Sequence, residues 1–246
     1  MTTRASTGIA REGRPASRAG PPAFTLWLTL WADDVVDSRS RSLTVESDGV
    51  ALPGDLTIPE QAIAVVAFAH GSGSSRRSPR NVRVAHRLHR EGLGTLLFDL
   101  LTDAEAEDRQ KAFDIDLLAR RLGAAVGWVR GRSELDGLPV GLFGASTGAA
   151  SALVVAAGTP NITAIVSRGG RPDLAGEALE RVTAPTLLIV GGMDRQVLGL
   201  NRAAQARMRC ETRLEIVPGA THLFEEPGGL DRVAELATAW FTDHVG

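Results

Sequence analysis

From residue 41 onward the chain switches repeatedly between two kinds of hydrophobic pattern. One kind is a short, mostly apolar run bounded by Gly, Pro, Asn or Asp: "AIAVVAFA", "GTLLFDL", "LPVGLFG", "NITAIVS", "PTLLIVGG" and "TRLEIVPG". Runs of that length, apolar at nearly every position, fit strands covered on both faces. The other kind has apolar residues three and four apart, over 81–91 (Val82, Ala85, Leu88), 116–130 (Leu118, Leu122, Val126, Val129), 172–181, 198–208 and 229–241, with a small-residue stretch over 146–157. These spacings predict helices. In front of them "SLTVES", a turn at Asp48-Gly49 and "VALPGDLTIP" read as a β-hairpin. Buried strands alternating with helices predict an α/β fold: a mostly parallel central sheet, helices on both faces, and an antiparallel N-terminal hairpin. Ligands of such sheets bind beyond the carboxyl ends of the strands, so chemistry is expected in the residues immediately C-terminal to each apolar run.

The first 40 residues lack this periodicity. Residues 1–22 carry four arginines, one glutamate and no apolar repeat, which predicts a disordered extension ahead of one domain over 41–246. The apolar run "FTLWLTLW" is too short to span a bilayer and has no signal-peptide flanks. Net charge is −2, which gives no pull toward nucleic acid or an anionic membrane. Cys210 is the only cysteine, so an internal disulfide is impossible and a cytoplasmic location is expected. Lys111 is the only lysine among 27 basic residues. This arginine bias tracks a GC-rich composition and lowers the weight given to any single arginine.

The run "LPVGLF" leads into "GASTG", Gly144–Gly148, a G-x-S-x-G match at a strand-to-helix junction. There a sharp turn raises the serine oxygen above the sheet, and glycines two before and two after avoid collisions with the neighbouring strand and helix. A solvated serine in a small-residue turn is the plain alternative. Ser146 as nucleophile needs a base, and that base needs an acid. His222 comes after "TRLEIVPG" and Asp194 after "PTLLIVGG"; the order Ser146, Asp194, His222 is the order this kind of fold uses. Asp173 also lies just past a strand end and is the other candidate acid, with a helix N-cap the plain alternative for either. Asp99 reads as a turn or supporting residue. Of the other histidines, His86 and His89 fall on a helix, His244 is terminal and His70 opens "HGSGSSRR". That loop lacks the lysine of a phosphate loop and the third glycine of a dinucleotide fingerprint. It fits an oxyanion loop, in which the amide of Ser72, or alternatively Gly73, joins that of Thr147.

Together "FAHGSGSS", "LLFDLL", "GASTGAA", "VSRGGRPDL", "TLLIVGGMD" and "PGATHLFEEPG" resemble the α/β-hydrolase superfamily, and within it the dienelactone-hydrolase-like proteins. The resemblance covers residue 50 to the C-terminus. It implies nucleophile Ser146, acid Asp194 and base His222, with no metal and no organic cofactor. Dienelactone hydrolases proper carry cysteine where this chain has Ser146, which directs the expectation to ester or thioester hydrolysis. Similar domains in some bacteria are joined to a phosphoribosyltransferase domain, of which these 246 residues carry no trace. The 47 residues between Ser146 and Asp194 leave no room for a lid domain, which suggests a small, soluble ester substrate and a monomer or homodimer. Arg76, Arg77, Arg80, Arg168 and Arg171 fall near the carboxyl ends of the strands. A solvated rim is the plain reading; a fork from Arg77 and Arg168 for an anionic substrate is the functional one. A non-catalytic small-ligand module on the same fold is the rival to a serine hydrolase.

Overall fold

The computed structural model describes residues 1–3 and 38–245. Most of the expected N-terminal extension, including "FTLWLTLW", lies outside the described residues. The hairpin starts three residues before the predicted boundary: β1 (Ser38–Ser47) and β2 (Val50–Pro59) are antiparallel around Asp48-Gly49, both at positive φ. The remaining order is β3 (Ala64–Ala69), α1 (Pro79–Arg90), β4 (Leu93–Phe98), α2 (Asp103–Ala106), α3 (Arg109–Ala112), α4 (Ile115–Arg130), β5 (Val140–Ala145), α5 (Thr147–Gly158), β6 (Ile162–Arg168), a kinked 3-10 segment (Pro172–Glu180), β7 (Thr186–Gly191), α6 (Arg195–Arg207), β8 (Thr212–Val217) and α7 (Gly229–His244).

The strands form one eight-stranded sheet in the order β1-β2-β4-β3-β5-β6-β7-β8. β2 pairs antiparallel with β1 and β4, and all later pairs are parallel. The chain winds from β3 outward to β4, then returns across β3 to start β5 and winds the other way. This reversal between β3 and β5 opens a crevice at their carboxyl ends, into which the loop after β3 and the turn after β5 project. Each of β3, β4, β5 and β7 is buried at every position, as their uninterrupted apolar runs require. Alternate residues feed two cores. Val65, Ala67, Leu96, Leu142 and Ile165 pack with α4 and α5; Val66, Phe68, Leu97, Phe143 and Val166 pack with α1 and α7. Between β5 and β7 there is only α5, β6 and the 3-10 segment, so no lid is inserted.

Two helices start before the periodicity reading places them, and two short ones are new to it. α1 begins at Pro79, whose fixed φ suits the first helical position, and α6 begins at Arg195 behind Asp194. The helices α2 and α3, four residues each, are too short to carry a 3.6-residue period. Their signal lies in caps: Thr102 and Glu105 form a capping box and Asp108 caps α3. Glu105 also meets Arg121 of α4, which is 1% exposed. Arg121 donates to both Glu105 oxygens at 2.7 and 2.9 Å and to the Leu100 carbonyl at 2.8 Å. This bond to Arg121 holds the Glu105 carboxyl far below the usual carboxylate range. Glu105→Ala leaves Arg121 buried without its anion, and such broken pairs cost about 3–5 kcal/mol. Urea unfolding of the variant at neutral pH should show a loss of that order, and a loss within error of zero would show that the pair is not needed.

Candidate active site

The turn after β5 is under strong steric constraint. Ser146 has φ 51° and ψ −118°, a left-handed backbone that a non-glycine residue occupies only when its surroundings enforce it. A Cβ at Gly144 would strike the backbone of Ala149, and one at Gly148 would strike the Ala69 carbonyl. The amide of Ser146 donates to the Arg168 carbonyl at 3.2 Å, and its carbonyl accepts from Arg171 at 3.0 Å and Ala149 at 3.1 Å. The backbone is thus fixed on both sides while the hydroxyl stands at the crevice, at the N-terminus of α5. Thr147 is the first residue of that helix, so its amide has no intrahelical acceptor.

The loop after β3 is tied down at both ends. Leu100 N–H donates to His70 Nε2 at 2.9 Å, which leaves Nδ1 to carry the proton and donate to the Gly71 carbonyl at 3.0 Å. Arg76 reaches Asp55 at 3.0 Å and also bonds Asp99, which accepts the Arg76 amide at 2.7 Å as well. Asp99 is therefore a supporting residue, as read from the sequence. Gly71 has its Cα so close to the elbow that a Cβ would lie 3.0 Å from that of Ser146. Ser72 departs from expectation. Its amide, expected to be open to an oxyanion, donates to Thr147 Oγ1 at 3.0 Å. The physical reason is burial: Thr147 is 1% exposed, and a buried hydroxyl takes a partner within reach.

On the other side of Ser146 the loops after β7 and β8 are stitched together. Gly192 donates to Val217 and Met193 to Ala220, both at 2.9 Å, and a Cβ at Gly191 would collide with the Ala220 carbonyl. Asp194 and His222 are thereby brought face to face: His222 Nδ1 lies 2.7 Å from Asp194 Oδ2. An ionised carboxylate only accepts, so Nδ1 is the donor of this bond, and in a neutral imidazole Nε2 then carries the lone pair. The other carboxylate oxygen of Asp194 accepts from the Val197 amide at 3.4 Å and caps α6, so this residue is an N-cap that also meets the imidazole. Asp173 instead takes a bidentate contact from Arg171 at 2.8 and 2.7 Å and has no hydrogen bond to His222. Among the described residues no hydrogen bond joins Ser146 Oγ to His222, although the ring lies beside the end of β6, with Cε1 3.6 Å from a Cβ built on Gly169. Such contacts commonly tighten only when substrate is bound.

Glu226 escaped the sequence reading. It accepts the Thr221 amide at 3.0 Å and its hydroxyl at 2.6 Å, fixing the turn that carries His222; a T-x-x-x-x-E spacing around a loop histidine was the available signal. The arginines separate sharply. Arg76, Arg80 and Arg171 pair with carboxylates, Arg77 is exposed, and Arg168 is buried rather than on a solvated rim. A small cavity of about 10 Å³, room for about one water, lies under the β3 loop, lined by His70, Ser72, Leu101, Ala106, Leu118 and Thr147. Among the described residues no group of three or more His, Cys, Asp or Glu is arranged to hold a metal, and no helix is long and apolar enough to cross a membrane.

The dienelactone hydrolase family model matches residues 52–242. The chain belongs to that family. It has the α/β-hydrolase fold expected from its motifs. The solved dienelactone hydrolase from Anabaena variabilis is 51% identical, with a TM-score of 0.81 over 84% of this chain and 98% of that one. The esterase domain of a Rhodothermus marinus protein shares the fold at 20% identity, with a TM-score of 0.69 over 85% of this chain and all of that one. A Mycobacterium tuberculosis H37Rv protein with a provisional phosphoribosyl transferase name is 55% identical over 208 residues, 84% of this chain and 47% of its own length. The chain thus spans about half the length of that relative.

Two histidines, His70 buried and His89 half-buried, are held below the ordinary imidazole pKa. Burial lowers the pKa of His70 from 6.5, and burial with the neighbouring His86 lowers that of His89 to about 4. The unfolded chain therefore binds more protons than the folded one below about pH 6.5, and stability falls as pH falls through that window. The urea midpoint should decline between pH 7.5 and pH 5, and His89→Gln should flatten the decline. A flat profile in the wild type would refute the assignment.

Proposed function

We propose that this chain is a serine hydrolase that cleaves a carboxylic ester or thioester of a small substrate through an acyl-enzyme. The reading is carried by one observation above the others: the 2.7 Å contact between His222 Nδ1 and Asp194 Oδ2, on loops facing the Ser146 elbow. In the proposed reaction Ser146 Oγ attacks the carbonyl carbon and its proton passes to His222 Nε2. Asp194 holds the imidazole tautomer and offsets its charge. The proton then goes to the departing alkoxide or thiolate, leaving acyl-Ser146, and water attacks with the same base to release the acid and free serine. The Thr147 amide, at the positive end of α5, stabilises the oxyanion. The Ser72 amide joins it when the oxyanion replaces Thr147 Oγ1 as its acceptor, since a charged acceptor makes roughly twice as strong a bond.

A fluorophosphonate probe should label the wild type and not Ser146→Ala, and para-nitrophenyl acetate turnover should fall by roughly 10³-fold or more in that variant. A folded wild type that neither reacts with the probe nor cleaves esters of several chain lengths would favour the non-catalytic ligand module.

Separately, Asp194→Asn should lower kcat by roughly 10⁴-fold while circular dichroism stays native, because asparagine still caps α6 but cannot offset the imidazolium. Asp173→Asn should leave kcat within a few-fold. The reverse ranking would move the acid to the loop after β6.

A further inference from the structure

β8 is an edge of the sheet: among the described residues it pairs with β7 alone. Its backbone groups alternate sides. The carbonyls of Glu211 and Val217 turn inward, accepting from Thr186 at 2.8 Å and from Gly192 at 2.9 Å, so the backbone groups of Arg213 and Glu215 turn inward too. The N–H and C=O groups of Thr212, Leu214 and Ile216 therefore point out of the sheet. Gln205 Nε2 donates to the Thr212 carbonyl at 3.1 Å and leaves it a second lone pair. Among the described residues no hydrogen bond reaches the backbone of Leu214 or Ile216 from the open side. Such a free row of donors and acceptors is a template for another strand.

The side chains of β8 are self-complementary. Arg213, Glu215 and Val217 share the α7 face with Leu187 and Ile189 of β7, while Thr212, Leu214 and Ile216 lie on the other face. Leu214 is half-buried and Ile216 is 39% exposed. Arg213 is exposed and bonds Glu215 of its own strand at 2.6 Å, beside an open groove of about 310 Å³ whose α7 wall includes Arg232, Glu235 and Trp240. An antiparallel copy related by a two-fold axis at Leu214 sets Leu214 opposite itself, Thr212 opposite Ile216, and Arg213 opposite Glu215. Apolar residues then meet on one face and opposite charges on the other. A two-fold at Arg213 or at Glu215 opposes like charges instead, which is destabilising. On the other edge strand, β1, the acid Glu46 and the arginines Arg39 and Arg41 fall on opposite faces, so the same pairing matches no charges there.

We propose that β8 docks on β8 of a second copy of this chain, antiparallel about a two-fold axis at Leu214, so that two sheets join into one. Leu214 exchanges two backbone hydrogen bonds with its copy, and Thr212 and Ile216 exchange two more on either side. Arg213 and Glu215 of both chains close into a ring of alternating charge beside the grooves along α7. Because the two strands run in opposite directions, the carboxyl ends of the two sheets point away from each other and both crevices stay open.

Sedimentation equilibrium of the full chain from about 1 to 100 μM should show a species of twice the 26.0 kDa chain mass that dissociates on dilution. Arg213→Glu and Glu215→Arg each oppose like charges twice across the axis and should raise the dimer Kd roughly tenfold or more. The double variant Arg213→Glu/Glu215→Arg should restore the wild-type value. Circular dichroism checks that each variant is folded; if one single reversal is not, the other and the double variant carry the comparison. The register is read separately in a Cys210→Ser background. There Leu214→Cys places two thiols across the axis, at a Cα separation of about 5.5 Å that a disulfide can bridge, and diamide should link the chains into a covalent dimer. Ile216→Cys, opposite Thr212, should link far more slowly. A chain that stays monomeric at every concentration overturns the interface and leaves the edge to another segment or another protein. A dimer whose Kd ignores both charge reversals, or that links as fast through residue 216 as through 214, uses another surface or register and overturns it as well. Ester turnover enters none of these readings, so the interface and the hydrolase reading stand or fall separately.

Discussion

Ser146 keeps a left-handed backbone between two glycines that cannot accept a Cβ, and the layout of the crevice depends on that arrangement. The glycine at 144 lets α5 lie close on β5, and the glycine at 148 lets it pass against the end of β3. Because β3 and β5 are adjacent and their chain connections run in opposite directions, no helix covers the point where they end. The serine is held by backbone bonds to β6 and to Arg171, so its strain is balanced by contacts well outside the turn. On the proposed reading, strain stored in that turn keeps the nucleophile aimed without its own side chain making a structural bond.

The remaining site elements are held by polar ties rather than by packing. Asp99, Arg76 and His70 brace the loop after β3, while the loops after β7 and β8 share backbone hydrogen bonds and Glu226 fixes the second of them. Each tie uses a group at the carboxyl end of a strand, where backbone donors and acceptors leave the sheet and need partners. The two sets are independent: one orients amides near Ser146, the other orients an imidazole. Bringing both to one crevice is the work of the parallel sheet.

Much of this was legible beforehand. The strands declared themselves because burial on both faces demands unbroken apolar runs, and Ser146, Asp194 and His222 stand out as the candidate reactive side chains just past the ends of three such runs. Other features depend on relations that a linear pattern does not carry. α2 and α3 are shorter than one hydrophobic period, and the start of β1 is set by pairing with Pro59 rather than by its own Ser and Arg residues. That Ser72 N–H would meet Thr147 Oγ1 depends on how closely two distant loops approach. Arginine identity alone could not separate Arg171, paired two residues away with Asp173, from Arg168, buried with no acid partner among the described residues; Arg168 is the last residue of β6, while Arg171 lies in the loop beyond it.

Asp194 shares one carboxylate between two elements, with Oδ2 on the imidazole and Oδ1 on the first turn of α6. The two oxygens turn about a single Cβ–Cγ bond. A change of torsion that improves one contact must swing the other oxygen out of line, so the opening of a helix and the tilt of an aromatic ring are geared together. Substitutions confined to residues 195–198 can therefore retune the ring's angle. In this fold the start of α6 is a remote adjustment for His222.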